Sequence, residues 1–173
     1  MTRNYPDEAV GGFPRPPRET TDDEGRSIVV GHATELDALV ELYVDFDPAD
    51  RAQGIPPVGE DAIREWLERI TGTDTVNTAA RHNGRVVGHA MLVGEDEREL
   101  AIFVLQAYQN AGIGTELLRT TLGAAAANGV ERVWLTVERW NDPAIALYRR
   151  VGFESVDNPD FEMVMTLRLE TEA

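Results

Sequence analysis

One stretch of this chain carries residue types spaced to bind an anion: Tyr108-Gln109-Asn110-Ala111-Gly112-Ile113-Gly114-Thr115-Glu116-Leu117-Leu118. The apolar run Leu100–Leu105 leads into it and a helical pattern follows, so the order is strand, glycine-bearing loop, helix. Such a loop aims several main-chain N–H groups at one point, and the helix N-terminus behind it adds partial positive charge. Gly112 and Gly114 bring no Cβ to block a ligand lying on the backbone. Two phosphate loops are excluded. The Gly-x-x-x-x-Gly-Lys-Ser/Thr loop needs a lysine, and the chain has none. The dinucleotide fingerprint Gly-x-Gly-x-x-Gly fails because Leu117 stands at its third glycine. The plain structural alternative is a strand–helix turn with glycine at a tight bend.

What remains is Gln109-x-x-Gly112-x-Gly114 opening a helix, and this resembles the acetyl-CoA pyrophosphate loop of the GNAT superfamily of N-acetyltransferases. A second segment matches the superfamily independently. It is Asn141-Asp142-Pro143-Ala144-Ile145-Ala146-Leu147-Tyr148-Arg149-Arg150-Val151-Gly152-Phe153, of the form Asn-x-x-Ala-x-x-Leu-Tyr-x-x-x-Gly-Phe. The resemblance implies acetyl-CoA as co-substrate and no metal. It implies that the diphosphate sits after Gln109, on the N–H groups of Asn110, Ala111, Gly112, Ile113, Gly114 and Thr115. It further implies that the backbone of Ile102, Phe103 and Val104 binds pantetheine like an added strand. The thioester carbonyl then meets a backbone N–H that stabilises developing negative charge. That strand must splay from the strand Arg132–Val137 to admit the cofactor.

Tyr148 is the candidate general acid. A phenol with a pKa of about 10 is protonated at neutral pH and can protonate a departing thiolate; the alternative is a tyrosine packed in the core by its ring. Asn141 caps a helix by its residue type, and the resemblance adds a cofactor contact. The general base stays open. Some relatives carry glutamate five residues ahead of the asparagine, where this chain has Thr136. Glu99 and Glu138 are the substitutes, against the plainer reading of solvated carboxylates; a water relay or no dedicated base is equally compatible. His32, His82 and His89 show no metal spacing, and His89 reads as structural. Trp66, Trp134 and Trp140 read as core or rim. Arg149 and Arg150 could reach a 3′-phosphate or simply end a helix.

Positioning these groups requires the following elements. Residues 1–25, rich in Pro, Gly and charge, read as an arm that is extended or disordered, which Tyr5 and Phe13 could pin to the body or to a second subunit. Residues 26–173 read as a single domain. Ser27–His32 is a strand, and Thr34 caps a helix running to Phe46. Residues 47–59 form a proline-bearing loop before a helix over 60–70. Val76–His82 and Arg85–Val93 form a hairpin closed by Asn83-Gly84. The central strand ends near Leu105, and the helix after the anion loop stops at Gly129. A strand over 131–137, the helix of the second segment and strands over 153–156 and 161–169 complete the chain. This order predicts an α+β GNAT fold: a mixed, mostly antiparallel sheet of six to seven strands, helices on both faces, splayed between its two central strands.

Charge narrows the partners. Thirty-one acidic residues face sixteen basic ones, a net of −15, and every basic residue is arginine. This composition reads as haloarchaeal-type adaptation to salty cytoplasm, or as plain acidity with skewed codon use. It argues against a nucleic-acid partner. No apolar run approaches a membrane span and no leader pattern appears, so a cytoplasmic protein is expected. With no cysteine there is no thiol to carry an acyl group.

The expectation is therefore an acetyl-CoA-dependent N-acetyltransferase working by direct attack in a ternary complex. Its acceptor would be a small cationic amine or a protein lysine or N-terminus. Asp45, Asp47 and Asp50 give the acceptor wall an acidic character; a homodimer stays open. The lead-in Asp23–Val30 faintly resembles domains that acetylate protein lysines. Alternatives are a non-catalytic acyl-CoA sensor on the same fold, O-acetylation, and transfer of a longer acyl chain.

Overall fold

Asn83 and Gly84 adopt φ of 51° and 81°, the left-handed pair that a two-residue turn matched to sheet twist demands. They close the β-hairpin at residues 76–94. The computed structural model describes residues 3–46, 56–72, 75–156 and 162–171. Its strands are β1 Arg18–Thr21, β2 Ser27–His32, β3 Val76–His82, β4 Arg85–Gly94, β5 Glu97–Val104, β6 Arg132–Glu138, β7 Glu154–Val156 and β8 Glu162–Arg168. Its helices are α1 Leu36–Val44, α2 Glu60–Ile70, α3 Ile113–Ala127 and α4 Asp142–Val151. The strands form one sheet in the order β1-β2-β3-β4-β5-β6-β8-β7. Among the described strands only β5 and β6 pair in parallel.

The sheet has eight strands rather than six or seven, because β1 lies inside the stretch read as an arm. Arg-Glu-Thr-Thr has no apolar face, so no alternation announces it; it joins through main-chain pairing with β2, Arg18 opposite Val30. Thr34 does not cap α1. The N-cap position is Glu35 and no side-chain bond closes it.

Side-chain alternation sorts the two faces. On one face α1 sends Tyr43 to His89 of β4, and Phe103 of β5, opposite His89, packs against Tyr43, Phe46 and Trp66. On the other face α3 sends Thr121 to Thr78 of β3 at 2.6 Å. Leu118 and Leu122 of α3 there share a core with Val133 and Leu135 of β6 and with Ile145 and Val151 of α4. Each such fully buried aliphatic side chain contributes about 1.5–3 kcal/mol.

The first residues run along the body. The Asn4 and Pro6 carbonyls accept from Thr166 and Arg168, Val10 bridges to Leu169, and Phe13 lies against the α3–α4 core. Residues 47–55, which include Asp47 and Asp50, and Phe161 lie outside the described residues. Among the described residues no helix is long and apolar enough to cross a membrane, and no group of three or more His, Asp or Glu could hold a metal ion.

Candidate functional site

β5 and β6 pair for only three rungs: Glu97 with Arg132, Arg98 with Val133 and Glu99 with Trp134. Beyond that rung β5 continues on β4 as far as Val104, while β6 continues on β8 as far as Glu138. The two central strands therefore part, and an opening with main-chain walls lies between them. Its β5 wall has a defined hydrogen-bond polarity. Leu105 N–H donates to the Val87 carbonyl at 2.9 Å, and the β4–β5 register is unbroken back to Arg98. Antiparallel alternation then commits Phe103 and Ala101 to β4 and turns Ile102 and Val104 toward the opening. Of the three residues expected to pair with a ligand, Phe103 is thus turned away in its main chain. Its ring belongs to the aromatic cluster on the α1 face.

A 3₁₀ turn, Gln106–Tyr108, links β5 to the glycine-bearing loop at 109–115. The Gln109 side chain folds back to donate to the Val104 carbonyl at 3.0 Å. Asn110 (φ 60°) and Gly112 (φ 87°) take left-handed conformations, which bend the chain into α3. The first α-helical bond is Glu116 N–H to the Gly112 carbonyl. Among the described residues the N–H groups of Gly112, Ile113, Gly114 and Thr115 donate to nothing, and no side chain caps the helix. A 15-residue helix thus presents its orphan donors at the mouth of the opening. A Cβ on Gly114 would meet open space.

The turn between β1 and β2 buttresses this loop, and the sequence reading missed it. Burial alone would raise the Asp22 carboxyl; hydrogen bonds from the Arg26 amide and guanidinium and from the Glu24 amide overcome that and hold it low. Arg26 in turn lies over the Tyr108 ring at 4.2 Å and donates to the Ala107 carbonyl, while Tyr108 bonds His82. The Asp23 amide donates to the Ala111 carbonyl at 2.8 Å. The signal available in the sequence was Asp22-x-x-Gly25-Arg26, an Asx-type turn. Turn and loop together line a cleft of about 210 Å³. The Asp23 carboxylate faces this cleft, within 3.4 Å of where a Cβ on Gly112 would stand.

Tyr148 lies on the α3–α4 side, in the same apolar cluster as Ile102, its ring 5.8 Å from that of Phe153. Burial raises its phenol above the ordinary value, and its hydroxyl has no partner among the described residues. The Asn141 carboxamide oxygen accepts the Ala144 amide at 3.4 Å as the cap of α4. Glu99 sits on the last paired rung, on the α1 face. Burial raises its carboxyl, Arg3 opposes that and Glu162 reinforces it. Glu138 stands at the far end of β6, opposite Glu162. The structure thus puts Tyr148 and Glu99 on opposite faces of the sheet, and Glu138 away from the rung where the strands part.

Trp66 is buried, Trp140 is exposed, and Trp134 lies under the Arg3 guanidinium. His89 is buried between Tyr43 and Asn77, at 2.6 and 2.7 Å; burial drives its pKa down to about 3. Asp45 pairs with Arg85 at 3.1 Å on the surface.

Residues 36–153 match the acetyltransferase (GNAT) family model. Over 141 residues the chain is 46% identical to the N-alpha-acetyltransferase RimI of Mycobacterium tuberculosis, covering 75% of this chain and 80% of that protein. It is 36% identical over 92 residues to an uncharacterized N-acetyltransferase of Mycobacterium bovis, which covers 51% of this chain. The match spans 59% of that relative's length, under two thirds. The fold superposes with a TM-score of 0.68, at 20% identity, on yncA of Salmonella typhimurium, solved with its cofactor acetyl-CoA; 84% of this chain and 96% of that one are covered.

Proposed function

The chain belongs to the GNAT acetyltransferase family, and on that premise we propose that it is an acetyl-CoA-dependent N-acetyltransferase acting by direct attack of a primary amine in a ternary complex. The observation that carries this reading is the parting of β5 and β6 beyond Glu99 and Trp134, with the unpaired amides of residues 112–115 at its mouth. The solved relative that holds acetyl-CoA supports the cofactor, and the relation to an N-alpha-acetyltransferase supports an amine acceptor.

In this reading Gly112, Ile113, Gly114 and Thr115 donate to the diphosphate, with Asn110 and Ala111 shaping the bend. Ile102 and Val104 pair with the pantetheine amides, so the thioester carbonyl comes to rest between the strands. The amine nitrogen attacks the carbonyl carbon, the carbon–sulfur bond breaks, and Tyr148 protonates the leaving thiolate. A carboxyl raised by burial suits a base, so Glu99 takes the amine proton directly or through water. Glu138 is the weaker candidate for that role. Asn141 keeps its amide nitrogen for the cofactor while its oxygen caps α4. The acceptor class is a small cationic amine or a protein amine, and an acidic chain of this kind favours neither nucleic acid nor anionic membrane.

Tyr148→Phe tests the reading. The kcat for thiol release, measured across a panel of amines in molar KCl, should fall about 10²- to 10⁴-fold while the calorimetric Kd for CoA holds. A wild-type chain that binds CoA without turnover on any amine would instead be a sensor.

A further inference from the structure

α3 and α4 cover the sheet face on which Tyr148 lies, so the acetyl-transfer reading brings the amine to the opposite face, that of α1. On that face, beside the α1 layer, the segment Arg3–Pro6 crosses β5, β6 and β8. The Arg3 guanidinium carbon stands 3.4 Å from the centroid of the Trp134 ring, and its Nη1 lies 3.7 Å from the Glu97 carboxylate. The Tyr5 hydroxyl donates to the same carboxylate at 2.8 Å. Trp134 and Glu99 form the last rung before the strands part, and burial raises the Glu99 carboxyl while the charge of Arg3 partly offsets that rise. A cation of the chain itself therefore rests beside the last paired rung, over an aromatic ring and against the Glu97 carboxylate.

The contacts that hold Arg3 there are of the weak kind. Its side chain is 31% exposed and Glu97's is 21%, and neither a partly solvated ion pair nor a cation–π contact binds tightly. We propose that Trp134, Glu97 and Glu99 form the acceptor subsite for a cationic group, and that Arg3 occupies this subsite in cis, so that arm and acceptor compete. The word acceptor rests on the acetyltransferase reading; the competition for a cation does not.

The test titrates spermidine and the dipeptide amide Ala-Arg-NH₂ into the full chain without cofactor, comparing wild type with Arg3→Ala, Arg3→Lys and Tyr5→Phe. Arg3→Ala should tighten binding of one or both cations about three- to tenfold, the release of one cation–π and ion-pair contact. Arg3→Lys should stay near wild type, and Tyr5→Phe should tighten binding less. The cation that responds tells a free polyamine from a basic peptide. Binding unchanged or weaker in Arg3→Ala, or no binding of either cation to any variant, overturns the proposal. Should Arg3→Ala fail to fold, Tyr5→Phe alone decides by the same sign. CoA titrated into the same samples keeps the two readings apart: if it fails to bind while the cations respond, acetyl transfer falls and the subsite stands.

Discussion

At Gly114 the loop's two demands pull in opposite directions. The residue lies in the first turn of α3, where glycine costs a helix up to about 1 kcal/mol relative to alanine. Among the described residues nothing fills the space a methyl would take. Gly114→Ala should therefore raise the thermal midpoint slightly and weaken CoA binding about tenfold, which paired melting and calorimetry would register. A change of the same sign in both would contradict a ligand lying against that backbone. His89 makes a pH prediction. Its pKa is about 3 in the fold against an ordinary 6.5, so the unfolded chain binds more protons throughout that window. Its contribution is intact above pH 6.5 and is lost as pH falls toward 3, at about 1.4 kcal/mol per pH unit. Urea midpoints from pH 7 to 5, above the main carboxylate titrations, should drop in the wild type and flatten in His89→Gln. Tyr148, raised above its ordinary value, stays protonated through pH 9 and should add no alkaline limb there.

At the scale of elements, the β1–β2 turn and the glycine-bearing loop before α3 are one unit. Asp23 aims a carboxylate at the donors that would hold a diphosphate, and its own amide ties it to Ala111. Asp23→Asn should tighten CoA binding severalfold at about 0.1 M KCl, and the gain should vanish near 1 M, where the Debye length has shrunk from about 10 to about 3 Å. An equal gain at both salts would point to geometry rather than charge. On α3, a Cβ on Gly123 would collide with the Pro14 carbonyl. Gly123→Ala should cost about 1–3 kcal/mol in denaturant unfolding despite alanine's better helix propensity, because arm or helix must shift. Long elements were legible in the chain. α3 and α4 declare themselves through glycine and Asn-x-Pro at their ends, and the β3–β4 hairpin through Asn83-Gly84. β1 was not, since a polar edge strand is specified by its neighbour's free main chain rather than by its own side chains.

At the scale of the whole molecule a net charge of −15 repels itself, and salt should relieve that: the unfolding midpoint should climb as KCl rises toward molar concentrations. The sequence by itself determined the glycine-bearing loop before α3, the capped helix carrying Tyr148 and the strands between them. Glycine conformations, caps and periodicity act between near neighbours in the chain, so they can be read there. The splay of the two central strands was expected from the resemblance; the tertiary structure alone decided that it begins after Glu99, that the main chain of Ile102 and Val104 faces the gap while that of Phe103 does not, and that Tyr148 and Glu99 stand on opposite faces. It alone also brought Arg3 onto Trp134. Those relations depend on strand register and on contacts between residues scores of positions apart, and no local pattern encodes which side of a sheet a distant segment will cross.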